Sequence, residues 1–170
     1  MPCIFLDRDG VINKTFVVNG KPIAPRKFSD FKILFNVKST LIKLKELNYK
    51  ISIFTNQPDV NYFPEMRKEV DLMHIFLQKE LPIDFVDVCF HKPEDKCQCR
   101  KPKTGMLKRS SEILNINLRE SIVVGDRWSD IKAGQDVGAR CFFIDYNYKE
   151  KKPEGKFIVL DSLQDLLKYI

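Results

Sequence analysis

Six short apolar runs punctuate this chain, and most of them are separated by a stretch with helical periodicity. The runs are Cys3–Leu6, Ile51–Thr55, Phe85–Cys89, Ile122–Gly125, Cys141–Ile144 and Phe157–Leu160. In Val37–Leu47 the apolar residues Val37, Leu41, Leu44 and Leu47 recur at helical spacing. In Pro64–Glu80, Met66, Val70, Met73 and Leu77 do the same. Further helices are expected after Thr104, near Asp130–Asp136 with Gly138 as a stop, and over Leu163–Tyr169. Strands that alternate with helices predict an α/β fold, a mainly parallel sheet covered on both faces. Residues 11–35 are the least regular part, and Val17-Val18-Asn19-Gly20-Lys21 reads as a hairpin with a tight Asn-Gly turn.

Open parallel sheets bind ligands outside the carboxyl ends of their strands. Asp7 and Asp9 follow the first run, and Thr55 and Asn56 end the second. Cys89 and His91 follow the third, and Asp126 follows the fourth. These polar residues therefore fall on one rim and are expected to form one site. The stretch Cys3-Ile4-Phe5-Leu6-Asp7-Arg8-Asp9-Gly10 carries two carboxylates one residue apart at a strand end. Such a carboxylate can attack phosphorus and form an acyl phosphate. A magnesium ion offsets the repulsion between carboxylate and phosphate, and Asp7 and Asp126 offer it hard oxygen ligands. Asp9, two residues on, can pass a proton to a leaving alcohol and later take one from water.

Five cysteines is an odd number, and three of them lie within eleven residues beside one of only two histidines. Cys89, His91, Cys97 and Cys99 have the count and softness for tetrahedral zinc, with no position left open for catalysis. That zinc would be structural and would stiffen a loop over about 89–103. A histidine among the ligands argues against an iron–sulfur cluster. Cys3 and Cys141 read as buried small hydrophobes, and His74 as a structural residue without partners of its own.

Asp7-Arg8-Asp9-Gly10, Phe54-Thr55-Asn56-Gln57, Cys89-Phe90-His91, Cys97-Gln98-Cys99-Arg100-Lys101-Pro102 and Val124-Gly125-Asp126 together resemble the haloacid dehalogenase superfamily of phosphatases. They are similar to its zinc-loop branch, which contains the heptose bisphosphate and histidinol-phosphate phosphatases. The resemblance runs from residue 3 to about 145. It implies a Rossmann-like three-layer sandwich without a cap domain, because neither the gap after the first strand nor that after the second has room for one. It implies Asp7 as nucleophile, Asp9 as acid and base, and Asp7, Asp126 and the Asp9 backbone carbonyl as magnesium ligands, with Asp130 supporting them through water. Arg8 is expected to face away into the scaffold. Thr55 and Asn56 match the motif that holds phosphoryl oxygens, and Lys101 the cation that orients the nucleophile, ahead of its neighbour Lys103. Arg100 and Arg127 are expected to reach a second oxyanion of the substrate. Trp128 has two readings, a pocket wall or packing under the loop.

The implied reaction is magnesium-dependent phosphomonoester hydrolysis, with D-glycero-D-manno-heptose 1,7-bisphosphate favoured as substrate and histidinol phosphate or another small sugar phosphate as the alternative. The loop Pro58-Asp59-Val60-Asn61-Tyr62-Phe63 departs from the heptose pattern, and a substrate-facing arginine expected there is missing. Asp59 and Glu65 would suit the amine of histidinol phosphate. The net charge of +6 suits anionic substrates, and most lysines are spread along the chain as a solvated surface. No basic stripe interleaved with aromatics appears, which argues against a nucleic-acid end phosphatase. The complete set Asp7, Asp9, Thr55, Lys101 and Asp126 argues against an inactive zinc-stabilised binding module. No apolar run approaches the roughly 20 residues needed to cross a bilayer. No basic region precedes an apolar stretch at the N-terminus, so a cytoplasmic enzyme is expected. One domain over 1–170 is expected, and a monomer is compatible with the sequence.

Overall fold

A computed structural model of the protein describes residues 2–170. Its strands are β1 (Cys3–Leu6), β2 (Phe16–Val18), β3 (Lys21–Ile23), β4 (Lys50–Asn56), β5 (Phe85–Cys89), β6 (Ile122–Gly125), β7 (Arg140–Ile144) and β8 (Ile158–Leu160). The α-helices are α1 (Val37–Glu46), α2 (Met66–Glu80), α3 (Gly105–Leu114) and α4 (Trp128–Asp136). Six strands form one sheet in the order β5-β4-β1-β6-β7-β8, with every neighbouring pair parallel.

Alternation along β1 divides the interior into two layers. Ile4 and Leu6 pack with Leu41 and Leu44 of α1 and Met73 and Leu77 of α2. Cys3 and Phe5 point the other way, toward Met106 and Leu107 of α3 and Ile131 and Ala133 of α4. Successive side chains of a strand face opposite sides, so a central strand buried on both must be apolar throughout. Truncating any of these leucines to alanine costs about 2–5 kcal/mol.

β2 and β3 form the expected hairpin as a separate antiparallel pair. Asn19 and Gly20 both take positive φ, 53° and 80°, which a two-residue hairpin turn of this hand requires. The backbone N–H of Lys149 donates to Gly20 O at 2.8 Å and pins the hairpin to the segment after β7. The β1–α1 connection holds this hairpin and a 3-10 turn, and the β4–α2 connection holds one 3-10 turn. Neither contains a cap domain.

The structure corrects three details. Leu47 lies past the last turn of α1 and is exposed rather than part of its core face. Residues Leu163–Lys168 form a 3-10 helix instead of an α-helix. Their only buried residues are Leu163 and Leu166, a spacing of three that suits the tighter winding. Helix α4 starts at Trp128, two residues early, because Asp130 caps it by accepting the Arg127 backbone N–H at 2.9 Å.

Candidate active site

β1 and β6 are neighbours, so the residues that end them meet. Asp7 follows β1, Asp126 follows β6, and Asp130 sits in the first turn of α4. Each offers a carboxylate oxygen within 4.8 Å of the other two, and all three are buried. Gly10 permits this approach: its φ is +85°, and a Cβ there would lie 2.0 Å from Asp126 Oδ2. Lys101 is buried among them. Its Nζ lies 2.8 Å from Asp7 Oδ1 and 2.7 Å from Asp130 Oδ1, and it donates to Phe54 O at 3.0 Å. Exposed Lys103 has no such place.

The charges do not balance. Burial, only partly offset by Lys101 and reinforced by Asp130 and Asp9, pushes the Asp7 carboxyl up to about 6. Burial, then Asp7 and Asp130, push Asp126 well above the usual carboxylate range. Asp126 Oδ2 accepts from Tyr148 Oη at 2.9 Å, while Oδ1 is buried with no partner. A bare oxygen in a cluster of three carboxylates fits a hard divalent cation.

Asp9 is held differently. Arg8 is wholly buried, yet its guanidinium turns back to Asp9, with Nη2 at 2.9 and 3.0 Å from the two oxygens. Asn13 Nδ2 donates to Asp9 at 2.9 Å and Gln57 Nε2 at 2.7 Å. Burial pushes the Asp9 carboxyl up, but Arg8, Asn13 and Gln57 outweigh it and hold the group below its usual range. Arg8 thus corrects its expected role: it lies in the scaffold but grips a site residue. His74 is corrected with it, since its Nε2 lies 3.1 Å from Arg8 Nη1. Burial, then the Arg8 charge, lower the His74 imidazole to about 3, so the ring stays neutral there.

Asn56 is the last residue of β4, and its side chain is spent on the Lys101 backbone. Oδ1 accepts the Lys101 N–H at 3.1 Å and Nδ2 donates to Lys101 O at 3.4 Å. Thr55 is buried beneath the rim, and its Oγ1 accepts from Gln57 Nε2 at 3.0 Å. Over these groups opens a cavity of about 340 Å³, lined also by Pro22–Ala24, Arg26, Pro58, Asp59 and Arg100.

The zinc-type ligands converge beside that cavity. Cys89 Sγ lies 3.1 Å from Cys99 Sγ, 3.7 Å from Cys97 Sγ and 3.6 Å from His91 Nδ1. A tetrahedron of thiolates about 2.3 Å from zinc has edges near 3.8 Å, so the four donors already surround a site of zinc size. The Arg100 N–H donates to Cys97 Sγ at 3.3 Å and the Gly105 N–H to Gln98 O at 3.0 Å. Arg100 and Lys101 therefore ride on the cluster.

Residues 98–166 match the HAD-hydrolase-like family model. A D-glycero-α-D-manno-heptose-1,7-bisphosphate 7-phosphatase from Photorhabdus laumondii is 34% identical, over 98% of this chain and 94% of that protein. The chain belongs to the zinc-loop phosphatase branch of the haloacid dehalogenase superfamily. The D,D-heptose 1,7-bisphosphate phosphatase of B. bronchiseptica, solved with magnesium and phosphate, shares the fold at TM-score 0.80 and 24% identity over the whole of both chains. The bifunctional histidine biosynthesis protein of Blochmanniella floridana is 32% identical over 86% of this chain and 43% of its own length.

In this superfamily member the cavity brings together Asp7, Asp9, Asn56, Arg100, Lys101, Asp126 and Arg127, and leaves Thr55 below it. Arg127 reaches the cavity with its guanidinium already paired: Nε lies 3.0–3.1 Å from both oxygens of Glu150. Trp128 stands outside, in a separate groove with Pro102, under the Lys151 ammonium at 5.4 Å. Gln57, Tyr148 and Arg26 were not singled out from sequence. Tyr148 follows the end of β7 by four residues, and the strand-rim rule, applied to β7 as well, points to it.

Proposed function

We propose that this chain is a magnesium-dependent phosphatase that removes the 7-phosphate of D-glycero-D-manno-heptose 1,7-bisphosphate through an aspartyl-phosphate on Asp7. The observation that carries it is the buried Asp7–Asp126–Asp130 cluster with Lys101 at the floor of an open cavity. The full-length likeness to a heptose bisphosphate phosphatase supports the substrate. Magnesium, held by Asp7, Asp126 and the Asp9 carbonyl with Asp130 behind them, would supply the charge that lets a carboxylate meet a phosphate dianion. Asp7 attacks phosphorus, and the bond to the sugar oxygen breaks. Asp9 gives that oxygen its proton, since a phosphate dianion arriving beside it raises its pKa from the ionised resting state. In the second step Asp9 takes a proton from water as the water attacks phosphorus. The bond to Asp7 then breaks and inorganic phosphate leaves. Lys101 neutralises charge at Asp7 throughout, and Asn56 and the Cys89–His91–Cys97–Cys99 zinc site fix its loop. Arg100 contacts a substrate oxyanion. A cytoplasmic location accords with clustered cysteines that serve as metal ligands.

Histidinol phosphate remains a second reading, supported by the Blochmanniella relative and by Asp59 at the mouth. A phosphate-release screen over both anomers of heptose 1,7-bisphosphate, sugar monophosphates and histidinol phosphate separates the two. The proposal expects kcat/KM to be highest for a heptose bisphosphate, and preferential turnover of histidinol phosphate overturns it.

A further inference from the structure

Four basic residues line the active-site cavity: Arg26, Arg100, Lys101 and Arg127. Lys101 is taken by Asp7 and Asp130, and Arg127 by Glu150. Arg100 donates to the His91 carbonyl at 3.3 Å and belongs to the zinc loop. Arg26 differs from all three. It is exposed, and among the described residues no carboxylate lies within ion-pair distance of it. Its guanidinium carbon lies 4.1 Å over the ring of Phe63, in the connection between β4 and α2. An aromatic face holds a guanidinium flat while leaving its N–H edge free, and that edge matches two phosphate oxygens at once.

Both partners of this stack are fixed. The Phe63 N–H donates to Asp59 O at 3.0 Å. Pro25 is buried, and two residues beyond Arg26 the Phe28 N–H donates to Glu69 Oε2 at 2.6 Å, which ties the segment to α2. Pro22, Ile23 and Ala24 line the same cavity, so Arg26 extends a wall rather than a free tail. The reacting phosphate belongs at the floor, beside Asp7 and Lys101. A cation held at the mouth then defines a second anion position in the same cavity.

We infer that Arg26, seated on Phe63, is a specificity-determining residue that receives the non-reacting phosphate of a sugar bisphosphate. The inference rests on the proposed function for the identity of the sugar, but the position of the second anion follows from the cavity alone. Its measure is the ratio of inhibition constants for heptose 7-phosphate and heptose 1,7-bisphosphate, each competing with 4-nitrophenyl phosphate. Wild type is expected to bind the bisphosphate at least tenfold more tightly. Arg26→Ala should reduce that ratio about tenfold. Arg26→Lys, which keeps charge without the planar fork, should recover part of it, and Phe63→Leu should lower it in the same direction. A wild-type ratio near one, or a ratio unchanged in both Arg26→Ala and Phe63→Leu, overturns the inference. Preference for histidinol phosphate in the turnover screen overturns the heptose reading separately, because the inhibition ratio is measured whichever substrate wins.

Discussion

Asp126 shows how much a single hydroxyl can decide. Tyr148 holds its Oδ2 at 2.9 Å, and Thr15 Oγ1 lies 3.2 Å from the same phenol, leaving Asp126 Oδ1 bare and aimed by default. A hydrogen bond to a charged group is worth about 1.5–3 kcal/mol. Tyr148→Phe should therefore weaken magnesium binding about tenfold, read by calorimetric titration of the unreacted protein, while the stacked Tyr146 and Tyr148 rings preserve packing. Unaltered magnesium affinity would remove Tyr148 from the site. Arg8 is the opposite case, a buried cation whose loss strands Asp9. Arg8→Met should cost about 3–5 kcal/mol in denaturant unfolding, the scale for breaking one side of a buried pair. Neither the packing that buries Arg8 nor the Tyr148–Asp126 contact was legible in the sequence. Arg8 meets His74 across 66 positions, and Tyr148 meets Asp126 from an irregular segment with no periodicity to place it.

At the scale of elements, two devices tie the sheet to its connections, one at the carboxyl end of β5 and one at the start of β4. The first is the Cys89–His91–Cys97–Cys99 cluster at the end of β5, whose spacing the sequence displays openly because the ligands are local. One zinc per chain is expected by elemental analysis, separate from magnesium. Cys99→Ser should release it, raise hydrogen exchange over residues 89–103 and lower turnover through a displaced Lys101. Protein purified without chelators and free of zinc would contradict this. The second device is Asp84, which joins α1 to the start of β4. It accepts from Lys45 Nζ at 2.7 Å, Lys50 Nζ at 3.2 Å and the Ile51 N–H at 2.8 Å. Burial raises its pKa, but these three donors outweigh it and lower the group. A lowered folded pKa contributes stability above the unfolded value near 3.9 and loses it as pH falls through the folded one. Asp84→Asn should thus remove about 1 kcal/mol at neutral pH, a solvent-screened amount, and flatten the acid limb of the stability curve below about pH 4. Equal acid sensitivity in wild type and variant would exclude Asp84 as a contributor.

Across the whole molecule, the readable features were those that strand order and strand ends impose. Each of the six runs became a strand, every pair came out parallel, and Asp7, Asp126 and Lys101 met because β1 lies between β4 and β6. The unread features are pairings that loop residues make: Arg127 with Glu150, the Lys101 backbone with Asn56, and Arg26 with Phe63. No local periodicity encodes such contacts, which arise only once distant connections share one rim. The same sharing puts Asp7, Asp9 and a basic mouth around one cavity, and the proposed mechanism requires Asp7 to be the residue that takes the phosphoryl group. Rapid quench of Asp9→Asn mixed with 4-nitrophenyl phosphate, whose leaving group needs no proton from Asp9, followed by mass mapping of its peptides, tests that directly. The phosphoryl group is predicted on Asp7, on no other residue, and absent from the Asp7→Asn,Asp9→Asn double variant. A phosphoryl group on a different residue, or an Asp7→Asn enzyme that turns over near the wild-type rate, would contradict it.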